Sequence, residues 1–276
     1  MTQKNKEKKM RKFQKNIDNK KVKIFGVIPA RMKSSRFPGK PLKKICNLTM
    51  LDHVYQRAFF YKKWTDLVVA TCDEEIKNHC IKKNYKFIMT SSKHTRCLDR
   101  VYEASTKIKN LKSRDIIVCV QGDEPMLLPD MITKTVDMFK NNFVENVVLG
   151  MKIRDYKNYI NKDVVKIVYN KNKEVIYTSR SPIPHTKNFN KETNAVRIYG
   201  ILAFRKRSLK NYFKSKESFL EKIEECDSNR YFDMKDKQYV FIYPYKKSFA
   251  VDTKEDLIKV SKYMRFDPLF KKYKAK

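Results

Sequence analysis

Lys23–Leu42 reads KIFGVIPARMKSSRFPGKPL. Its opening run, KIFGVIPA (Lys23–Ala30), is apolar beyond the first lysine, which predicts a buried strand. The strand runs out into a loop carrying Arg31, Lys33, Arg36 and Lys40 and closing on Pro-Gly-Lys-Pro. Outward from there, helix and strand patterns alternate. LDHVYQRAFFYKK has helical spacing, DLVVAT is strand-like, EEIKNHCIKKN helical and KFIMT strand-like. RCLDRVYEASTKIK is amphipathic, DIIVCV is a continuous apolar run, and PDMITKTVDMFKNN carries Pro129 where a helix tolerates it. Alternation of this kind predicts an α/β fold with a parallel sheet covered by helices on both faces.

The pattern changes after about residue 145. NVVLGMKI, VVKIVYN, EVIYTSR and IYGILAFR are strand-like with little helix between them, which predicts a mixed, β-rich insertion over about 145–245. SLKNYFKS and the stretch around IEECDSNRYFD read as helices, QYVFIYPY as a strand and KEDLIKVSKYMRF as a closing helix. No internal repeat or Pro/Gly/Ser linker divides the chain. The expectation is a basic, disordered arm over 1–21 and one domain over 22–276.

Composition narrows the function. The 276 residues include 63 Lys plus Arg against 30 Asp plus Glu, a formal charge of +33. Hydrophobic residues make up 41% and aromatics 12%, enough for a packed core. No stretch reaches the ~20 apolar residues of a membrane span, and the first residues lack the apolar core of a secretory leader. The six cysteines form no CxxC pair, so reduced, packed thiols and a cytoplasmic location are expected. The basic charge invites a nucleic-acid reading. It is carried by 49 Lys against 14 Arg spread over nearly every segment, which describes a solvated surface rather than a binding patch.

Glycine is scarce: Gly26, Gly39, Gly122, Gly150 and Gly200 are all there are. In so Lys-rich a chain they mark places where a Cβ would clash or φ must be positive. Two of them sit in segments that look chemical. The Arg31–Lys40 loop leaves a parallel strand at its carboxyl end, where α/β sheets bind ligands, and its N–H groups and cationic heads suit a triphosphate. It is neither a Walker A loop nor a GxGxxG turn; the bland alternative is an ordinary basic loop. VCVQGDEPML (Val118–Leu127) ends a strand on Gln121, Gly122, Asp123 and Glu124, adjacent carboxylates that suit Mg²⁺ or, more plainly, a helix-capping turn. In FAVDTKEDL, Thr253 reads as a helix cap, which leaves Asp252 unexplained. Asp123 and Asp252 together would make a two-carboxylate Mg²⁺ site facing the basic loop.

Taken in order, VIPARMKSSRFPGKPL, VVATCDEEI, IMTSSKHTRCLDRVYEA, DIIVCVQGDEPML, NKDVVKIVYN, YTSRSPIPH and FAVDTKEDL resemble the motifs of the 3-deoxy-manno-octulosonate (KDO) cytidylyltransferase family, the CMP-KDO synthetases. The resemblance covers about Val22 to Met264. It implies a Rossmann-like nucleotidyltransferase fold, a homodimer, Mg²⁺ as cofactor, and transfer of CMP from CTP to an acidic sugar for surface-polysaccharide synthesis. By resemblance, Ala30, Arg31 and Lys40 belong to the triphosphate loop, and Thr90 and Ser91 to the cytosine and ribose loop. Gln121 and Asp123 belong to the central motif, Asp252 is the second metal aspartate, and Arg180, Arg197 and Asp227 lie toward the sugar.

Three sugar-side segments depart from the family. The usual HxSGT(E/D)R is His94-Thr95-Arg96-Cys97-Leu98-Asp99-Arg100. The strand usually reading HxGIYGYR runs Arg197-Ile198-Tyr199-Gly200-Ile201-Leu202-Ala203-Phe204-Arg205. A Glu-Gln pair has become Asp227-Ser228. The nucleotide half therefore matches while the sugar half has drifted. An altered acceptor, an amino-substituted KDO or another nonulosonate, is one alternative expectation, because changed pocket contacts shift specificity. A nucleic-acid-binding or regulatory protein on an inactive transferase fold is the other, and the intact Arg31, Lys40, Asp123 and Asp252 set argues against it.

Overall fold

The computed structural model describes residues 22–274; the arm expected over 1–21 lies outside the described residues. In chain order the first half comprises β1 (Ile24–Pro29), β2 (Lys44–Ile45), β3 (Leu48–Thr49), α1 (Met50–Phe59), β4 (Asp66–Thr71), α2 (Glu74–Lys83), β5 (Phe87–Met89), α3 (Cys97–Thr106), β6 (Ile116–Val120) and α4 (Pro129–Asp137). The second half comprises β7 (Asn146–Lys152), α5 (Tyr156–Ile160), β8 (Lys166–Tyr169), β9 (Val175–Ser179), β10 (Val196–Arg205), α6 (Lys206–Lys214), α7 (Phe219–Glu224), α8 (Arg230–Asp233), β11 (Tyr239–Tyr243), α9 (Lys254–Met264) and α10 (Pro268–Lys271).

The main sheet runs β11-β7-β10-β6-β1-β4-β5, with β8 attached to β10 and β9 to β8. Within it β1, β4, β5 and β6 are parallel, as their continuous apolar runs predict. The long β10 is antiparallel to both β6 and β7, and β11 rejoins β7 in parallel. The mixed extension thus continues the main sheet.

Side chains alternate between two faces. Ile28, Val69 and Val118 pack under α1, α2 and α4. Phe25, Val27, Val68 and Cys119 pack under α3 and α6. Helices cover both faces.

Two sequence expectations are corrected. The IEECDSNRYFD stretch is not one helix. Glu225, at φ 46, adopts a left-handed conformation that ends α7. Asp227–Asn229 then form a 3₁₀ turn before α8. The hairpin β2–β3 has no counterpart in the sequence reading. Its Ile45 and Leu48 pack with Val260, Met264, Phe270 and Tyr273 of the C-terminal segment. Arg57 on α1, fully buried, ties that segment down: it donates to the Tyr273 hydroxyl at 2.9 Å and the Leu127 carbonyl at 3.2 Å, and pairs with Asp267 at 2.7 Å. All six cysteines are free thiols; Cys97 and Cys119 approach to 3.6 Å between sulfurs.

Candidate active site

β1 lies between β4 and β6, both parallel to it, so the carboxyl ends of these strands open at the switch point of the sheet, where α/β folds bind ligands. The loop after β1 is held open at three points. Ala30 N donates to Ala70 O at 2.9 Å, Met32 N to Asp73 Oδ2 at 2.8 Å, and Gly39 N back to Met32 O at 2.9 Å. Gly39 has φ +71, a left-handed conformation that favours glycine. It turns the chain into the 3₁₀ turn Lys40–Leu42 and so aims Lys40 inward.

The exit of β6 comes against this loop. A Cβ at Gly122 would lie 2.8 Å from the Pro29 carbonyl, so only glycine lets the two strand exits approach this closely. Val251 N donates to Asp123 O at 2.9 Å, which brings the C-terminal segment alongside. Thr253 caps α9 in a capping box with Asp256, the plain role expected of it. Asp252 stands just outside that cap.

Three elements therefore meet at one point. Lys40 Nζ donates to Asp123 Oδ2 at 3.1 Å, to Asp252 Oδ1 at 3.0 Å and to the Val251 carbonyl at 3.0 Å. Burial works against the Lys40 charge, but Asp123 and then Asp252 outweigh it and raise its pKa above the usual lysine value. Arg36 reaches Asp252 at 3.1 Å and also pairs with Asp163. Since an ammonium stands between one oxygen of each carboxylate, the pair already faces a shared cation position. That donor set fits Mg²⁺, which takes one or two carboxylates and completes its shell with water and phosphate oxygens. Among the described residues no group of three or more His, Cys, Asp or Glu forms a fuller cage.

A cleft of about 600 Å³ opens at this point, lined by Arg31, Gln121, Asp123 and Asp252 and also by Arg180, Arg197 and Asp227. An adjoining pocket of about 290 Å³ runs under the basic loop past Ala30, Lys33, Lys40 and Arg100. In the cleft, Arg197 donates to the Ser248 carbonyl at 3.3 Å and stacks on Tyr199. Arg180 is committed to backbone, donating to Glu224 O at 2.9 Å and Lys162 O at 3.0 Å. Asp227 Oδ2 accepts from Leu98 N at 3.2 Å, and burial pushes its carboxyl up to about 6.

Two expected nucleotide contacts do not line either pocket. Thr90 is buried; its hydroxyl donates to Thr71 O at 3.0 Å and accepts from Arg100, so it positions that arginine. Ser91 N donates to Glu103 Oε2 at 2.8 Å, and its hydroxyl accepts from Lys93 N. The adjacent acids Asp123 and Glu124 also part company. Asp123 faces Lys40, whereas Glu124 turns inward. It accepts from Gly200 N at 3.3 Å and lies 3.7 Å from Arg197, and among the described residues its Oε2 has no hydrogen-bond partner. Burial lifts its carboxyl to about 7, with Arg197 pulling the other way. Gln121–Glu124 form a turn, with Glu124 N donating to Gln121 O at 3.3 Å, and a turn carries no two-residue period by which the sequence could separate the neighbours. The Arg36–Asp163 pair was not anticipated, because nothing local links a loop after β1 to one before β8.

The chain matches a cytidylyltransferase family model over residues 25–242. It is 38% identical to the 3-deoxy-manno-octulosonate cytidylyltransferase of Thermodesulfovibrio yellowstonii, covering 84% of this chain and 94% of that one. Its likeness to the Chlamydia trachomatis enzyme of the same name is 34%, over 90% and 95% of the two chains. Among solved structures it resembles CMP:2-keto-3-deoxy-manno-octonic acid synthetase complexed with CTP, at a TM-score of 0.80 and 31% identity over 89% of this chain and 99% of that one. The basic loop, the paired aspartates and this likeness agree, and the chain belongs to the cytidylyltransferase family.

Proposed function

We propose that the protein transfers CMP from CTP to 3-deoxy-manno-octulosonate or a closely related acidic sugar, releasing pyrophosphate, as a cytoplasmic homodimer serving surface-polysaccharide synthesis. The observation that carries this reading is the meeting of Asp123, Asp252 and Lys40 where the triphosphate-type loop opens into a larger cleft. The relatives named for this activity support it over most of the chain.

Arg31, Lys40 and the loop N–H groups hold the β- and γ-phosphates, which leaves the α-phosphate over Gln121 and Asp123. The sugar's anomeric hydroxyl attacks the α-phosphorus in line. A new O–P bond forms as the α–β phosphoanhydride bond breaks, pyrophosphate leaves with the bonding pair, and the hydroxyl proton passes to solvent or phosphate. Positioning and charge stabilisation supply the rate, and no side chain is assigned as general base. When bound by Asp123 and Asp252, Mg²⁺ supplies charge neutralisation on the phosphates.

Pyrophosphate release from each nucleoside triphosphate with a panel of acidic sugars tests the reading. Release with CTP and KDO is expected; no release with CTP and any acidic sugar rejects it. A second reading keeps the chemistry and changes the acceptor, favoured by Asp227 on the cleft wall, an acid that would suit an amine. Competing KDO against an amino-substituted relative at limiting CTP separates the two, with a gap of about 10–100-fold expected if the acceptor is altered.

A further inference from the structure

Lys40 has two claims on it. It lines the pocket under the basic loop, with Arg31 and Lys33, where phosphates would lie. Yet all three of its N–H donors have acceptors elsewhere: Asp123 Oδ2, Asp252 Oδ1 and the Val251 carbonyl, each within 3.1 Å. Those are oxygens a divalent cation would want. Arg36 closes a further side of Asp252 and is itself held by Asp163. Without nucleotide, the two carboxylates thus have an ammonium and a guanidinium as counterions. A divalent ion binding the same oxygens at about 2.0–2.1 Å has no room beside an ammonium at 3.0 Å, and like charges oppose it further.

We propose that Lys40 is the resident cation of the Asp123–Asp252 pair, and that nucleotide phosphates open the pair to a divalent metal by drawing Lys40 onto themselves. The inference rests on the proposed nucleotide and metal reading and adds an order to it. Metal alone binds weakly, because it must displace Lys40 with nothing to receive it. A triphosphate supplies the receiving oxygens, so metal and nucleotide bind with positive coupling, and by linkage each favours the other to the same degree. The pair stays neutralised throughout, so two acids stand side by side without a metal and without mutual repulsion.

The test is Mn²⁺ binding to the full chain without nucleotide, read as loss of the free Mn²⁺ spin-resonance signal. Wild type is compared with Lys40→Met and Lys40→Gln, and with Lys33→Met as control. Lys33 is exposed on the same loop and lines the same pocket. Lys40→Gln keeps a polar group between the acids should the methionine variant fold poorly, and thermal melts check both. Removing Lys40 should tighten Mn²⁺ binding at least ~10-fold, within the range of coupling between sites, while Lys33→Met changes it less than about threefold. Affinity in both Lys40 variants within about twofold of wild type overturns the inference, as does equal tightening in Lys33→Met, which would reduce the effect to net charge. Absence of Mn²⁺ binding to every protein overturns it too. Wild-type pyrophosphate release, assayed separately, shows whether the functional reading falls with it.

Discussion

Replacing Asp227 by asparagine should stabilise the protein by an amount that depends on pH. The residue opens the 3₁₀ turn after α7, and its Oδ2 accepts from Leu98 N at 3.2 Å. Burial pushes its carboxyl from the ordinary 3.8 up to about 6; the Leu98 N–H and Arg96 pull it down, while Glu221 and Asp99 add to the rise. The sign follows. Well below pH 3.8 the carboxyl is neutral in both folded and unfolded chains, and its contribution to stability is fully present. As pH climbs through about 4 to 6 the unfolded chain ionises first, and stability is lost until the folded carboxyl has ionised too. Two pKa units at ~1.4 kcal/mol each set a ceiling of ~3 kcal/mol. The side chain borders an open cleft, and screening there brings the expected loss to ~1–2 kcal/mol. Asparagine keeps the size and an acceptor for Leu98 N but carries no charge. Urea unfolding followed by the fluorescence of Trp64, the single tryptophan, reads the difference. The asparagine variant should gain ~1–2 kcal/mol over wild type above pH 7, about a third of that at pH 4.5 and little at pH 3. A difference that stays constant with pH, or a variant less stable at pH 8, refutes the reasoning.

Two further outcomes follow from the site. Asp123→Asn should cut turnover at least ~100-fold, the scale of losing a main electrostatic stabiliser, with the circular dichroism spectrum unchanged; turnover near wild type would remove Asp123 from the reaction. Gly200→Ala would place a Cβ 2.7 Å from Glu124 Cγ and 2.8 Å from both Cβ and Oε1 of Gln121. Overpacking of that kind costs ~1–3 kcal/mol, and here the strain is delivered to the cleft. A thermal melt and kcat/KM for the acceptor should both fall, and wild-type values for both would show that β10 gives way without moving the site.

The parallel half of the sheet was readable because each strand is an apolar run bounded by helical periodicity, and neither signal needs distant contacts. So was the loop of Arg31 and Lys40, since a strand exit with clustered cations is a local pattern. The hairpin β2–β3 was not, because two-residue strands carry no period. Nor was the break at Glu225, a residue with no intrinsic taste for the left-handed region, held there by its surroundings. The site itself joins residues far apart in sequence: Lys40 is 83 positions from Asp123 and 212 from Asp252. The residue types alone suggested that Asp123 and Asp252 pair facing the basic loop, and the resemblance to a family then assigned Lys40 its place in that loop. The resemblance also proposed Thr90 and Ser91 as nucleotide contacts; the Thr90 hydroxyl is bonded to Thr71 O and Arg100, and the Ser91 hydroxyl accepts from Lys93 N.

The charge of the chain takes on a different meaning once the cleft is in view. A +33 protein that bound its ligand by bulk basicity would line its cleft in proportion to its surface. It does the opposite. Among the described residues three lysines (Lys152, Lys246 and Lys259) line the main cleft beside six arginines and eight acids, in a chain of 49 Lys, 14 Arg and 30 acids. Lysine is a flexible point charge, cheap to place on a solvated surface. Arginine offers a fixed fork for carboxylate and phosphate, and an acid amid so many cations must be kept for a partner. Against this background an acid tells more than a base. Asp123, Asp252, Asp163, Glu124 and Asp227 each sit opposite a named cation or backbone donor in or beside the cleft, and Lys40, the lysine that reaches the paired aspartates, is held by both. The basic surface then raises the local concentration of anionic substrates, and the acids and arginines within decide which of them is bound and turned over.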